Sequence, residues 1–245
     1  MNSAATPAGA ESRLSASLAG ILTLWSSSVG KKIVMAATGV MFVGFVVVHM
    51  LGNLKIYKGE EAFNHYAVWL REAGTPFLLP EQGLWMARVV LLGAVALHIL
   101  AAWQLSRMSW TARPLGYLEK RSLAATYAAR TMRWGGVILL LFIVYHILHL
   151  TIGVVGFAPG QFRHLSVYRN VIAGFSVLPV SAFYIVAQVA LGMHMHHGIW
   201  SLFQTCGVVT ARGDRFYRTL STVVTLAVVA GNLSIPVAVL AGWVR

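Results

Sequence analysis

Long apolar stretches separated by short charged segments dominate the pattern of this chain. Stretches without Asp, Glu, Lys or Arg cover 33–54, 89–106, 134–162, 170–211 and 219–244. Each is near or above the ~20 residues with which an α-helix crosses a bilayer. Pro179, near the start of the fourth stretch, and the polar Gln204 and Thr205 near its end shorten it to one span. The pattern predicts an all-α membrane protein, a five-transmembrane-helix bundle with helices at approximately 31–54, 84–106, 134–157, 171–203 and 219–243.

Composition excludes an ordinary soluble domain. Hydrophobic residues make up 58% of the chain and charged residues only 11%, whereas soluble domains carry about 25% charged residues. The single cysteine, Cys206, excludes an internal disulfide and a cysteine-based zinc or iron–sulfur site within this chain.

The cations predict the orientation in the membrane, because cytoplasmic loops carry an excess of Lys and Arg. With the N-terminus inside, the inner segments hold the larger set: Arg13, Lys31, Lys32, Arg107, Arg113, Lys120, Arg121, Arg130, Arg133, Arg212, Arg215 and Arg218. The outer segments hold Lys55, Lys58, Arg71, Arg88, Arg163, Arg169 and Arg245. We therefore expect a cytoplasmic N-terminus, an outer C-terminus and contact with anionic lipid; the net charge of +12 is better explained in this way than by nucleic acid, for which we expect no role.

The chain is expected to have two parts. Residues 1–30 form an N-terminal inner-side segment, partly loose or interfacial, because its first residues are small and polar while 14–25 mixes apolar residues with Ser and Thr. Residues 31–245 form the transmembrane domain.

Four histidines lie inside the apolar stretches, each in a different one: His49, His98, His146 and His194. A ring nitrogen in hydrocarbon is costly unless it has a partner. At 1.5 Å of helix rise per residue, His98 and His194 lie roughly 13–15 Å from the inner border and His49 and His146 roughly 20–25 Å from it. The histidines thus form two levels, with two members on each.

Two imidazoles from different helices at one depth can bind one flat macrocycle from opposite faces, which is the ligation of haem b by two histidines. We therefore predict two b-type haems enclosed by the bundle, one between His49 and His146 and one between His98 and His194. The plainer alternative is that these histidines only form hydrogen bonds between helices. Depth alone does not decide between His146 and His149, which lies one turn further along the same face.

A metal transporter is a second alternative, with His194, His196 and His197 as zinc or copper ligands. Ion pathways through membranes usually contain an acidic residue, and none lies inside the five spans. His196 and His197 lie near the inner boundary, where we expect contacts with water, haem propionates or a partner subunit. His65 and His164 lie in outer loops, where we expect solvent.

Several segments resemble a known family, the haem-binding membrane anchor of succinate dehydrogenase and fumarate reductase, in its single-chain, five-helix, two-haem cytochrome b558 form. The segments that carry the resemblance run from about Ser26 to the last helix: SSVGKKIVMAATG (27–39), HMLGNL (49–54), GEEAFNHYAVWL (59–70), ARPLGY (112–117), YHILHLTIG (145–153) and GMHMHHGIWSLFQTCG (192–207).

The resemblance implies that His49, His98, His146 and His194 are the axial iron ligands, and it selects His146 over His149 because His146 follows the aromatic residue in FIVYH. It implies a bacterial inner-membrane complex in which a flavoprotein and an iron–sulfur subunit dock on the inner face. Electrons would pass from succinate to two haem b groups and a quinone, by family habit menaquinone. A related alternative is a di-haem anchor of a hydrogenase, formate dehydrogenase or nitrate reductase.

The quinone site stays unassigned at this level. A site that reduces quinone needs hydrogen-bond donors or a titratable group at a membrane boundary. Two sets qualify: Glu61, His65, Tyr66 and Glu72 on the outer side, and Ser27, Ser28, Lys31 and Arg133 on the inner side. Anchoring at a loop or interface is the simpler explanation for each of them.

Overall fold

The structure, a computed structural model, describes residues 19–20, 23–112, 124–210 and 213–245, and of 124–131 it describes only the backbone. Most of the predicted N-terminal segment and most of the ARPLGY stretch lie outside these residues. Within the described ranges the regular structure is entirely helical. It comprises seven α-helices: α1 (Ser28–Asn53), α2 (Glu60–Glu72), α3 (Gln82–Thr111), α4 (Ala124–His146), α5 (Val167–Phe175), α6 (Leu178–Thr205) and α7 (Asp214–Leu240).

Five of these helices, α1, α3, α4, α6 and α7, belong to segments long and apolar enough to cross a membrane. Their outward faces carry large apolar side chains that stay exposed, among them Val40, Val48, Leu92, Leu141, Val186 and Leu226. Water disfavours so much apolar surface on a folded chain, whereas lipid does not. The prediction of an all-helical chain with five membrane-length helices is confirmed.

The fourth predicted helix, 171–203, is divided in the structure into α5 and α6. The break lies at Ser176 and Val177, and Val177 has an extended backbone (φ −85°, ψ 106°). Pro179 follows in the first turn of α6, where its missing N–H costs nothing. The Ser181 hydroxyl then donates to the Phe175 carbonyl at 2.6 Å, which satisfies the end of α5.

The third predicted helix, 134–157, also ends differently. The α-helix stops at His146 and continues as a π-helical turn over Ile147–Ile152. Gly153 closes this turn with a left-handed backbone (φ 79°), and its N–H donates to the Leu148 carbonyl at 2.9 Å. A Cβ at Gly153 would overlap the Phe162 ring, so glycine is required there for two reasons. The wider π turn changes the direction in which the following side chains point.

The membrane-length helices pack as two halves. In one half α3 lies against α1, and in the other α4 and α7 lie against α6; α1 joins the halves through contacts with α6 and α7. Within the described residues α1 and α4 do not pack extensively on each other, and neither do α3 and α6. There is therefore no tight interface between α1 and α4, or between α3 and α6, in the described part of the chain.

We call the end of the bundle where α1 begins the inner end and the opposite end the outer end. The short helices α2 and α5 lie together at the outer end and form a cap. Arg169 of α5 pairs with Glu60 of α2 at 2.7 Å, and the Tyr168 N–H donates to Asn64 at 3.1 Å. The largest buried apolar cluster lies under this cap: Ile56, Phe63, Tyr168, Phe175, Val180, Tyr184, Ile235, Ala238, Val239 and Val244.

Candidate functional site: two facing histidine pairs

The outer pair is formed by His49, one turn before the end of α1, and His146, the last residue of α4. Their ring centroids are 5.8 Å apart and the rings are nearly perpendicular, at 89°. Phe45 stacks on His49 at 5.3 Å, and Phe142 lies 5.6 Å from His146. The structure thus brings together two histidines that are far apart in the sequence, from two helices whose described residues do not pack extensively on each other.

Tyr184 of α6 holds the ring of His146. The Tyr184 hydroxyl oxygen lies 3.2 Å from His146 Nδ1 and 2.9 Å from His149 Nδ1. The Tyr184 hydroxyl therefore contacts both His146 and His149, the two candidate ligands that their depth in the membrane did not distinguish. When His146 donates from Nδ1 to this hydroxyl, Nε2 is the nitrogen that keeps a lone pair for a further ligand.

His149 lies in a different environment from His146. It is fully buried, and Phe157 (4.7 Å), Tyr145 (5.6 Å) and Phe175 (6.4 Å) surround its ring. The π turn begins at Ile147, and His149 points away from His49 into this aromatic pocket. The structure places His146, and not His149, opposite His49.

Two glycines make room for His149. A Cβ at Gly174 would lie 2.5 Å from its Nε2, and a Cβ at Gly156 would lie 2.6 Å from its Cδ2. Contacts this short do not occur between real atoms, so any larger residue would displace the ring. The pocket is therefore shaped around this imidazole.

The inner pair is formed by His98 of α3 and His194 of α6, with ring centroids 6.4 Å apart and an angle of 56° between the rings. His98 Nδ1 lies 2.8 Å from the Thr38 hydroxyl, which donates its own proton to the Val34 carbonyl at 2.8 Å. With its proton on that carbonyl, Thr38 accepts from His98 Nδ1–H, and His98 then keeps the Nε2 lone pair available.

The ring of His194 is held differently from that of His98. Its Nδ1 is buried and has no hydrogen-bond partner among the described residues. Gly135 and Gly136 of α4 lie alongside the ring, and a Cβ at either position would stand 3.8 Å from it. Small residues here allow the backbone of α4 to pass close to the imidazole.

The spacing within each pair fits one metal ion bound from both sides. Two imidazole nitrogens that each bind a metal at about 2 Å lie about 4 Å apart, which puts their ring centroids roughly 6 Å apart. The observed separations of 5.8 Å and 6.4 Å bracket this value. Within the described residues, the helices of each pair are also not packed extensively on each other. The role of the four histidines as iron ligands remains a prediction.

The three histidines of the metal-transport hypothesis are not brought together. His194 faces His98, His196 is exposed and contacts the Thr222 hydroxyl at 3.2 Å, and His197 lies against Trp200. Over the described ranges, no group of three or more His, Cys, Asp or Glu side chains is arranged to hold a metal ion. His65 and His164 are exposed.

The boundary residues considered for a quinone divide into two groups. Tyr66 lines a cavity of about 130 Å³ beside His49, with Asn53, Phe63 and Leu70, while Glu61, His65 and Glu72 are exposed. At the inner end, Ser27, Lys31 and Arg133 each interact with another part of the chain. Ser27 caps α1 by accepting from the Gly30 N–H, Lys31 donates to the carbonyls of residues 25 and 26, and Arg133 lies over Trp110.

Sequence reasoning missed Thr38 and Tyr184, which contact the candidate ligands. A signal for both was present, because each places a hydroxyl inside an apolar, membrane-length stretch. The sequence did not show that α1 packs on α3 and α4 on α6. This packing determines which histidine each hydroxyl contacts.

Comparison of the chain with models of protein families, with curated proteins and with solved structures gave no match.

Proposed function

We propose that the chain is the cytochrome b membrane-anchor subunit of a succinate dehydrogenase, a succinate:quinone oxidoreductase. In this proposal His49 with His146 would hold one haem b group, and His98 with His194 would hold a second. A haem b supplies one-electron transfer through its iron when bound. The chain itself is not a catalyst for succinate; it carries electrons between an iron–sulfur subunit and a membrane quinone, for which we propose menaquinone.

The observation that carries the proposal is the pair of facing histidine couples inside one bundle. Histidines that only connect helices need one polar partner on a packed neighbouring helix, and His98 and His146 already have one in a hydroxyl. Each of them nevertheless also faces a second histidine. Here each couple joins two helices without extensive packing between them, and the ring separations fit one bound metal. In His98 and His146 a hydroxyl contacts Nδ1, which orients the other nitrogen as metal-bound histidines require.

The excess of cations in the segments predicted from the sequence to lie inside supports an orientation with a cytoplasmic N-terminus and an outer C-terminus in a bacterial inner membrane. The flavoprotein and iron–sulfur partners would then dock at the inner end, close to the His98 and His194 couple. The vertical order of the two couples would give electrons a path from that end towards the outer one. The resemblance of the segments 27–39, 49–54 and 192–207 to the anchor family also supports these partners.

The haem assignment is tested by haem content. The complex is purified through a tag on this chain, and its haem b is measured from the reduced-minus-oxidised optical spectrum. We expect two haem b per chain in the wild type and one in His98→Ala, with the outer haem retained. His196→Ala is the matched control, because His196 is on the same helix as His194 but exposed, and it should keep both. A wild-type complex without haem b, or unchanged content in His98→Ala, refutes the assignment.

The partner assignment needs a separate measurement, because the chain's own residues do not identify the soluble enzyme. Subunits that co-purify with the chain are identified, and succinate is added as the electron donor. A flavoprotein with an iron–sulfur subunit, and reduction of at least one haem b by succinate, supports the proposal. Co-purification with a nickel or molybdenum enzyme would instead identify the anchor of a hydrogenase, formate dehydrogenase or nitrate reductase.

A further inference from the structure

We propose that Tyr184 and His149 form a buried hydrogen-bond relay that positions His146 and sets the redox potential of the outer haem. The inference rests on the proposed function, since it concerns the chain's residues around one of the two predicted haem sites. It assigns a role to a histidine that neither couple uses and to a tyrosine in the middle of an apolar cluster.

The relay is defined by one hydroxyl and two imidazoles. Tyr184 Oη lies 3.2 Å from His146 Nδ1 and 2.9 Å from His149 Nδ1, so a single oxygen serves both rings. The three groups come from two segments, α6 and the junction of α4 with the π turn. Tyr184 is itself fixed by Phe142, Phe175 and Phe183, whose ring centroids lie 5.1, 4.8 and 6.5 Å from its own.

The direction of the hydrogen bonds follows from ligation. If His146 binds iron through Nε2, its proton is on Nδ1, and it donates this proton to the Tyr184 oxygen. The Tyr184 hydroxyl must then donate its own proton to His149 Nδ1, because it has only one proton to give. In the opposite direction Tyr184 would donate to His146, whose proton would move to Nε2 and block ligation. His149 therefore acts as the acceptor that fixes the tautomer of His146.

The environment of His149 supports a role in hydrogen bonding rather than in packing. Its ring is fully buried, and its Nε2 has no hydrogen-bond partner among the described residues. A buried donor without a partner costs free energy that an apolar side chain of similar size would avoid. Among the residues that the structure describes, the ring's hydrogen bond is to Tyr184. Gly156 and Gly174 provide the space for it, so the backbone around the π turn accommodates this imidazole in one position.

The relay predicts a measurable property of the outer haem. A ligand imidazole that donates from Nδ1 is more basic, and a more basic ligand stabilises the ferric state. Loss of the acceptor should therefore raise the potential of the outer haem and leave the inner haem unchanged, because the His98 and His194 couple has separate contacts. The low-spin electron paramagnetic resonance signal of the outer haem should shift as well, since the orientation of the His146 ring is no longer fixed.

The test compares three variants of the purified complex by potentiometric titration and electron paramagnetic resonance. Tyr184→Phe removes the shared hydroxyl and should raise the outer potential. His149→Phe removes only the distant acceptor and should shift the outer potential in the same direction by a smaller amount. Tyr145→Phe is the matched control, because Tyr145 lies in the same aromatic cluster but its hydroxyl makes no hydrogen bond to either histidine among the described residues; it should leave both potentials unchanged.

The outcomes separate the relay from the proposed function. A wild-type complex without two haem b transitions overturns the proposed function, whatever the variants do. Two transitions in the wild type, with an unchanged outer potential and signal in Tyr184→Phe, overturn the relay alone. If Tyr184→Phe loses the outer haem, His149→Phe decides: a shifted outer potential with full haem content supports the relay, and wild-type values overturn it.

Discussion

The outer and inner histidine couples use the same side chains in different surroundings. At the outer couple, His146 is held through Tyr184 by the buried His149, under a cap formed by α2 and α5. At the inner couple, His98 is held by one threonine from the adjacent α1, and His194 Nδ1 has no partner among the described residues. The outer couple thus depends on contacts from several segments, and the inner couple mainly on the packing of α1 against α3.

Two sites that each consist of two histidines can therefore behave differently. Hydrogen bonding to a ligand histidine and the polarity around it are the protein's means of tuning a bound iron. Tyr184 and His149 lie beside the outer couple. Thr38 and the glycines 135 and 136 lie beside the inner couple. The couples should therefore differ in potential and in how they respond to substitution, and the following predictions test that difference.

The largest expected effect is the loss of one haem when an outer histidine is removed. His49→Ala should reduce the haem content from two per chain to one and abolish the outer transition, because its partner alone cannot complete the axial pair. The inner potential should stay at the wild-type value. Optical titration of the purified complex measures both quantities. Loss of the inner transition instead would show that the couples are assigned to the wrong haems.

A second prediction concerns the pocket behind the outer couple. Gly174→Ala places a Cβ 2.5 Å from His149 Nε2, so the ring must move and the relay must open. We expect a loss of about 1–3 kcal/mol in stability, as overpacking of a filled site usually costs. Thermal unfolding of the complex in detergent, with the outer signal followed in parallel, measures the effect. Gly198→Ala is the control, because no atom lies within 4 Å of its added Cβ; equal destabilisation of the two variants would contradict a shaped pocket.

A third prediction addresses the inner couple. Thr38→Val keeps the shape of the side chain but removes the hydroxyl that contacts His98 Nδ1 at 2.8 Å. We expect the inner potential to rise while the outer one stays constant, with a stability loss of about 1 kcal/mol for one buried hydrogen bond. Thr38→Ser retains the hydroxyl and should restore the wild-type potential. A shift in the outer potential would indicate that the two couples are not independent.

The smallest effect is expected at the surface of the outer cap. Arg169 and Glu60 form a 2.7 Å ion pair between α5 and α2, but both side chains are largely exposed. Exposed ion pairs contribute about 0–1 kcal/mol. Glu60→Gln should therefore change the unfolding temperature slightly and neither haem potential measurably. A clear shift of the outer potential in this variant would mean that the cap, and not only the relay, tunes the outer couple.

The transmembrane helices were predictable because their signal is local. A stretch without charge that is long enough to cross a bilayer needs no knowledge of its neighbours, and five such stretches gave the five membrane-length helices. The break at Val177 was partly visible, since Pro179 marks it in the sequence. The cap helix α2 also had a signal that was not used: Glu60 and Glu61 in the first turn, and the apolar Phe63 and Ala67 one turn apart, which are its buried residues.

The surroundings of the candidate ligands were not predictable in the same way. His149 points in a different direction from His146 because it lies in a π turn, and a π turn has no simple sequence pattern. That Tyr184 meets His146, and Thr38 meets His98, depends on which helices pack together and at what height. These are properties of pairs of segments far apart in the chain, and periodicity within one segment does not contain them.

The division of the bundle into two halves has a consequence for biosynthesis. Each couple takes one histidine from α1 or α3 and the other from α4 or α6, so neither couple exists until segments of both halves are in the membrane. A ribosome that makes the chain from its N-terminus completes the outer couple when α4 emerges and the inner couple only after His194 in α6. At the outer site, both histidines are therefore synthesised before Tyr184. At the inner site, the second histidine itself is synthesised only with α6.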